Sequence, residues 1–185
     1  MRVLLVQPPQ CDPAQPYSSL SHLLGAWRAA GLQVDAVDAN LGFFNYLCSP
    51  GFLREAVARA ERRLAAPAPG DENARRTLER ALSGRDWVAD LAPQAIAALR
   101  DPAAFYDPRT YAWAFRVIHR ALEVASASVY PGRVTLQAFH TAHSHLSSRG
   151  VLAASRDEQT NLFLEYTDRS LGTALAEARP DVIAV

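Results

Sequence analysis

Apolar and polar positions recur with two different periods along this chain, and the changes of period outline its elements. Arg2–Gln7 is a short Val/Leu run closed by Pro8 and Pro9, the pattern of a strand buried on both faces. A polar, proline-rich loop follows through Cys11, Asp12, Pro13 and Pro16. Leu20, Leu23, Leu24 and Trp27 then recur at three- and four-residue spacing, predicting a helix that Ser18 or Ser19 can cap and Gly31 can end. The stretch 32–38 alternates apolar and polar residues as a strand does. Strand, loop, helix, glycine and strand make a βαβ beginning, which requires two parallel strands.

From Leu41 to Ser128 the period is helical. Leu41, Phe43, Phe44, Tyr46 and Leu47 open the region, and Ser49-Pro50 starts a helix through Phe52, Leu53, Val57, Ala60 and Leu64. Ala66-Pro67-Ala68-Pro69-Gly70 is a break. Helices are predicted over 71–82 and 86–99. Asp107-Pro108 begins the last, with Tyr111, Phe115, Ile118 and Leu122 on one face. After a turn at Pro131-Gly132, residues 133–139 read as extended and lead into a loop rich in Ser and His. A helix over 157–178 and a final apolar strand, Asp181–Val185, complete the order. The fold class is therefore α/β, one domain with a helical insertion over 41–128. Because the chain stops inside an apolar strand, a truncated domain is expected.

Composition narrows the function classes. The chain has 185 residues, 49% hydrophobic and 21% charged, which is globular and not disordered. Its formal net charge is +0, against a domain that binds nucleic acid by neutralising phosphates. No apolar run approaches the roughly 18 residues that span a bilayer, and the opening segment is too short for a signal peptide, so a cytoplasmic protein without membrane contact is expected. All 19 basic residues are arginine. Lysine-dependent chemistry, a Schiff base or a Walker-type phosphate loop, is thereby excluded. The two cysteines, Cys11 and Cys48, form no Cys-x-x-Cys pair and fall short of the thiolates an iron–sulfur cluster needs.

The opening Arg2-Val-Leu-Leu-Val-Gln-Pro-Pro9, the helix, Gly31, and Val34-Asp-Ala-Val-Asp-Ala-Asn40 resemble the N-terminal region of radical SAM enzymes that carry a cobalamin-binding domain. The closing Arg179-Pro-Asp-Val-Ile-Ala-Val185 looks like that family's Pro-Asp-Val-Ile-Gly strand, and Asp157 and Asn161 resemble a polar helix entry in members with a helical insertion. The resemblance implies a small flavodoxin- or Rossmann-like parallel sheet of three strands with the first central. Cobalamin would lie over its carboxyl edge, touching Gln7, Pro8 and Pro9 after the first strand and Asp38 and Asn40 after the second. Two departures stand out. The Asp-x-His-x-x-Gly motif that supplies a lower axial histidine is replaced by Gln-Pro-Pro-Gln-Cys-Asp-Pro, and the Cys-x-x-x-Cys-x-x-Cys cluster motif is absent.

Each candidate residue also has a structural role open to it. Asp38 and Asn40 sit where a βα loop meets a ligand, yet either can cap the helix that follows. Gln7 can bind a ligand edge or satisfy loop amides. His140, His143 and His145 could hold a metal, but the spacing fits no helical pair and a polar loop is the stronger reading. His119 reads as a surface or half-buried helix residue, and His22 lies on the first helix without a catalytic role. Cys11 faces the ligand edge and Cys48 reads as core. No Gly-x-Ser-x-Gly elbow supports a serine triad. The aromatic sets Phe43, Phe44, Tyr46 and Tyr111, Trp113, Phe115 read as helix-packing surfaces.

The leading expectation is a non-catalytic, cobalamin-binding-like domain fragment of a radical SAM enzyme, whose iron–sulfur cluster and S-adenosylmethionine would belong to a missing C-terminal catalytic domain. Its rival is a stand-alone α/β protein-interaction module with a helical insertion. An exposed sheet edge would favour a homodimer, and cobalamin affinity is expected to be weak or absent.

Overall fold

The computed structural model describes residues 1–9, 12–13, 17–66 and 71–185. The chain divides into two compact units, 1–44 with 162–185, and 45–161.

The first unit is built on strand β1, Arg2–Gln7, which lies between β2, Gln33–Asp38, and β5, Val182–Ala184. Both pairings are parallel, with Val3 opposite Val34 on one side and Val182 on the other. The expected sheet with its first strand central is present. Val3 to Val6 are all buried, because a central strand is covered on both faces. Helix α1, Ser18–Ala29, lays Leu20, Leu24 and Trp27 against Val3, Leu5 and Val34. Leu23, grouped with them by spacing, faces solvent instead. Two side-chain devices fix the register. Arg28 donates from Nε and Nη2 to the Val34 carbonyl at 3.2 and 2.9 Å. Asp181 exchanges bonds with Arg2, its N–H donating to the Arg2 carbonyl at 2.9 Å and its Oδ2 accepting the Arg2 N–H at 2.8 Å.

Gly31 ends α1 as expected. It adopts φ 80°, a left-handed conformation that costs glycine little, and the Leu32 N–H returns to the Trp27 carbonyl. No side-chain oxygen caps the start of α1. Ser18 is already helical, and its carbonyl accepts from Ser21 Oγ and His22 Nδ1.

The second unit is helical apart from one small hairpin. Its long helix α7, Pro108–Ser128, packs against α3, Pro50–Ala65, α4, Glu72–Leu82, α5, Val88–Arg100, and the short α6, Pro102–Tyr106. Ala56, Ala60, Ala92, Ala95, Ala114, Ala121 and Ala125 are all fully buried, so small side chains set the close approach of these helices. Four of these five helices are capped at the N-terminus from the side chain. Ser49, Asp71, Asp101 and Asp107 each accept the N–H three residues on, and three of those helices carry proline at the first position. Asp101-Pro102 thus announces α6 as plainly as Asp107-Pro108 announces α7, although only the latter was read from the sequence.

Two expected elements break into pieces. Residues 133–139 form a hairpin, Arg133–Val134 (β3) paired antiparallel with Phe139–His140 (β4), because the Thr135 hydroxyl accepts from the Gln137 and Ala138 amides and turns the chain. The helix predicted over 157–178 begins only at Leu162. The Asp157 carboxylate takes the Gln159 and Thr160 amides and the Thr160 hydroxyl, closing a turn that competes with helix. Beyond that turn, Leu162–Tyr166 (α9), a π-helical turn at Thr167–Leu171, and Gly172–Ala178 (α10) follow in sequence. Two helices complete the chain, Ala39–Leu47 (α2) after β2, and Ser148–Ala154 (α8) after the histidine loop. No helix among the described residues is long and apolar enough to cross a membrane.

Candidate functional site

In a parallel sheet the loops that leave the carboxyl ends of the strands are the natural ligand platform, since the strand direction and the helix N-termini both converge there. Here β1 and β2 end level, with Gln7 opposite Asp38. Between them opens a cleft of about 180 Å³ lined by Gln7, Asp38, Asn40 and Leu41, with Pro13, Tyr17 and Leu20 on the α1 side. The sheet therefore brings three of the sequence-predicted residues, Gln7, Asp38 and Asn40, to one place. Pro8 and Pro9 do not line this cleft, and Pro8 is exposed. Cys11 lies outside the described residues.

Asp38 performs the structural role as well as lining the cleft. Its Oδ1 accepts the Leu41 N–H at 2.8 Å, which makes it the N-cap of α2, two residues earlier than a helix starting at Leu41 would need. Asn40 is inside that helix and only 2% exposed. Behind Asp38 stands Tyr166, whose phenol is raised above its ordinary pKa first by burial and then by the negative charge of Asp38. Tyr166 stays a neutral hydrogen-bond donor at physiological pH. Its hydroxyl occupies the space that a β-carbon on Gly42 would take, so glycine at position 42 is a requirement of close approach. The same tyrosine joins an aromatic cluster, its ring 5.6 Å from Phe43, with Phe163 at 4.5 Å from Phe43 on another side. Sequence reasoning missed Tyr17, Gly42 and Tyr166. A glycine inside an apolar helical run was the one available signal.

The described lining offers a carboxylate, two carboxamides and a phenol, and no cation or activated nucleophile. Such a set recognises a ligand by hydrogen bonding.

In the second unit the fold adds what spacing could not show. His143 Nε2 lies 2.9 Å from Asp157 Oδ2, fourteen residues away in sequence. The Asp157 carboxyl is held below its ordinary value by the Thr160 hydroxyl first and by His143 second. His140 and His145 are exposed, and no group of three or more His, Cys, Asp or Glu side chains among the described residues is arranged to hold a metal ion. Cys48 is buried as expected, and burial pushes its thiol up to about 12, leaving it inert. Phe43 and Phe44 are core and Tyr46 packs on Phe52, as the packing interpretation requires. Tyr111 and Phe115 depart from it, stacking on each other at the surface with centroids 6.0 Å apart.

No protein-family model matches the chain, and no curated protein or solved structure does so either.

Proposed function

We propose that the first unit is a ligand-carrying α/β platform of the cobalamin-binding kind, serving a radical SAM catalytic domain and not catalytic by itself. The observation that carries this reading is the convergence of Gln7, Asp38 and Asn40 on one cleft at the carboxyl edge of a parallel sheet whose first strand is central. Neutral carboxamides and one carboxylate suit the amide-fringed rim of a corrin, which both donates and accepts hydrogen bonds. A cleft of about 180 Å³ takes part of that rim, so the macrocycle would lie across the edge with Gln7, Asp38 and Asn40 holding its periphery. Neither the described lining nor the motif after β1 provides an axial histidine. Bound cobalamin would supply one-carbon or electron transfer to the partner domain, while these residues bind and orient it.

Titration of hydroxocobalamin into the 185-residue chain, read by absorbance and equilibrium dialysis, tests the proposal. Weak, saturable uptake is expected, reduced further by Gln7→Ala and by Asp38→Asn. Tight one-to-one binding would contradict a platform engaged at its rim alone. Absence of uptake at millimolar cofactor would remove the corrin altogether.

One observation favours a further property, the homodimer expected of an exposed sheet edge. Strand β5 is an edge of the described sheet, and Val182 and Ile183 are 44% and 51% exposed. An apolar edge of this kind pairs readily with another strand, here a second copy of the chain, giving a homodimer. Light scattering after size exclusion should show a dimer that Ile183→Lys dissociates. A monomer at high concentration would refute it.

A further inference from the structure

The helical unit contains a second cleft, of about 250 Å³, at the junction of α4, α7 and the turn that leads into β3. Its floor is apolar, formed by Ala81, Leu122, Ala127 and Val134. Its rim carries Arg80 from α4 and Arg133 from β3, with His119 of α7 between the helices. Neither guanidinium makes an ion pair or hydrogen bond among the described residues. Arg62, Arg109, Arg116, Arg149 and Arg156 of the same unit also lack carboxylate partners among the described residues, whereas Arg80 and Arg133 are set apart by bordering one cleft together. The one acidic residue of the described lining, Glu123, is neutralised by Arg120 at 2.7 Å. Two positively charged residues therefore border a concave, partly apolar space.

The walls are held in place by contacts that do not involve the Arg80 and Arg133 side chains. Ser126 Oγ accepts the Val134 N–H at 3.0 Å and donates to the Leu122 carbonyl at 2.7 Å, pinning β3 to α7. Arg120 Nη1 donates to the Arg80 carbonyl at 2.9 Å, tying α4 to the same helix. The His119 ring is backed by Phe115 at 4.4 Å, and Phe115 continues through Tyr111 to Phe105 as an aromatic row on the surface. An imidazole supported in this way offers a planar face at the mouth of the cleft.

We propose that this cleft is a binding site for a small phosphate monoester with a planar or apolar body. A dianionic phosphate matches two unpaired guanidinium groups, which bind phosphate oxygens by charge-assisted hydrogen bonds. The apolar floor and the His119 face take the body, and the volume suits a ligand of small-metabolite size. The site is independent of the sheet edge in the first unit.

Phenyl phosphate is the probe, with inorganic phosphate and phenol as its two halves, titrated by calorimetry into the full chain while the His119 ring protons are followed by NMR. Phenyl phosphate should bind saturably and more tightly than either half. Arg80→Gln and Arg133→Gln should each weaken it about tenfold, the loss of one hydrogen bond to a charged group. Both variants should melt with the parent, because the Arg80 carbonyl and the Arg133 backbone carry the structural bonds. His119→Ala should weaken phenyl phosphate and leave inorganic phosphate unchanged. Absence of saturable binding by phenyl phosphate, or binding that both glutamine variants keep, would overturn the assignment.

Discussion

The two units are stabilised differently. In the helical unit, Leu53, Val88, Val124 and the row of buried alanines are shut off from solvent on all sides, and side-chain caps close the helix starts. In the sheet unit that state is reached by the central strand, the aromatic cluster and a few neighbours, among them Ala39, Asn40 and Leu162. Helix α1 has no fully buried residue, and β5 leaves Val182 and Ile183 exposed. Buried area is the main stabilising term, so local opening should be easier in the sheet unit. That unit also carries the ligand edge, where low local stability is ordinary.

Truncating a core leucine should show the contrast most strongly. Leu53→Ala is expected to cost about 3 kcal/mol, the transfer term plus the cavity left among helices that cannot close it, measured by urea denaturation. A cost below about 1 kcal/mol would mean that the helical core is loosely packed.

Next comes Gly42→Ala. In an open helix the exchange would stabilise by about 1 kcal/mol, but the Tyr166 hydroxyl occupies the place of the new methyl group. Destabilisation by about 1 to 3 kcal/mol is expected. In a Tyr166→Phe background, where the hydroxyl is gone and the ring carbon at 3.3 Å becomes the nearest atom, the same change should cost clearly less. An equal cost in both backgrounds would sever Gly42 from Tyr166.

Acid should act on the helical unit through Asp157. Its folded pKa is lowered, so its contribution is complete above the ordinary carboxylate range and is lost as pH falls through the lowered value. Asp157→Asn should cost about 1 kcal/mol near neutrality and flatten the acid limb of the stability curve. An unchanged acid limb would show that the turn is held by its backbone bonds alone.

A smaller gain is expected at Arg179. It closes α10 at φ 42°, a left-handed position without glycine, and Arg179→Gly should stabilise by up to about 1 kcal/mol in thermal melts.

The sheet was legible because β1 and β2 carry their signals within a few residues: a Val/Leu run, prolines, an amphipathic helix and Gly31. Caps were legible where a proline follows the capping residue, as at Ser49 and Asp107. What could not be read depends on partners distant in sequence. Asp157 reads as the start of a helix until Thr160 and His143 take its oxygens. Tyr166 has no local mark that places it on Gly42, and Leu23 shares the spacing of Leu20 and Leu24 but not their side of α1. The ligand edge was legible in part: Gln7, Asp38 and Asn40 meet, whereas Pro8 and Pro9 do not join them in the cleft.

Hydrogen exchange of the full chain with and without hydroxocobalamin tests the central claim, that the carboxyl edge of the sheet carries the ligand. The amides of Gln7 and of residues 38–41 are expected to slow on addition of the cofactor, while those of 45–161 keep their rates. Slowing confined to 45–161, or unchanged exchange at the sheet edge with the cofactor in excess, would contradict the claim.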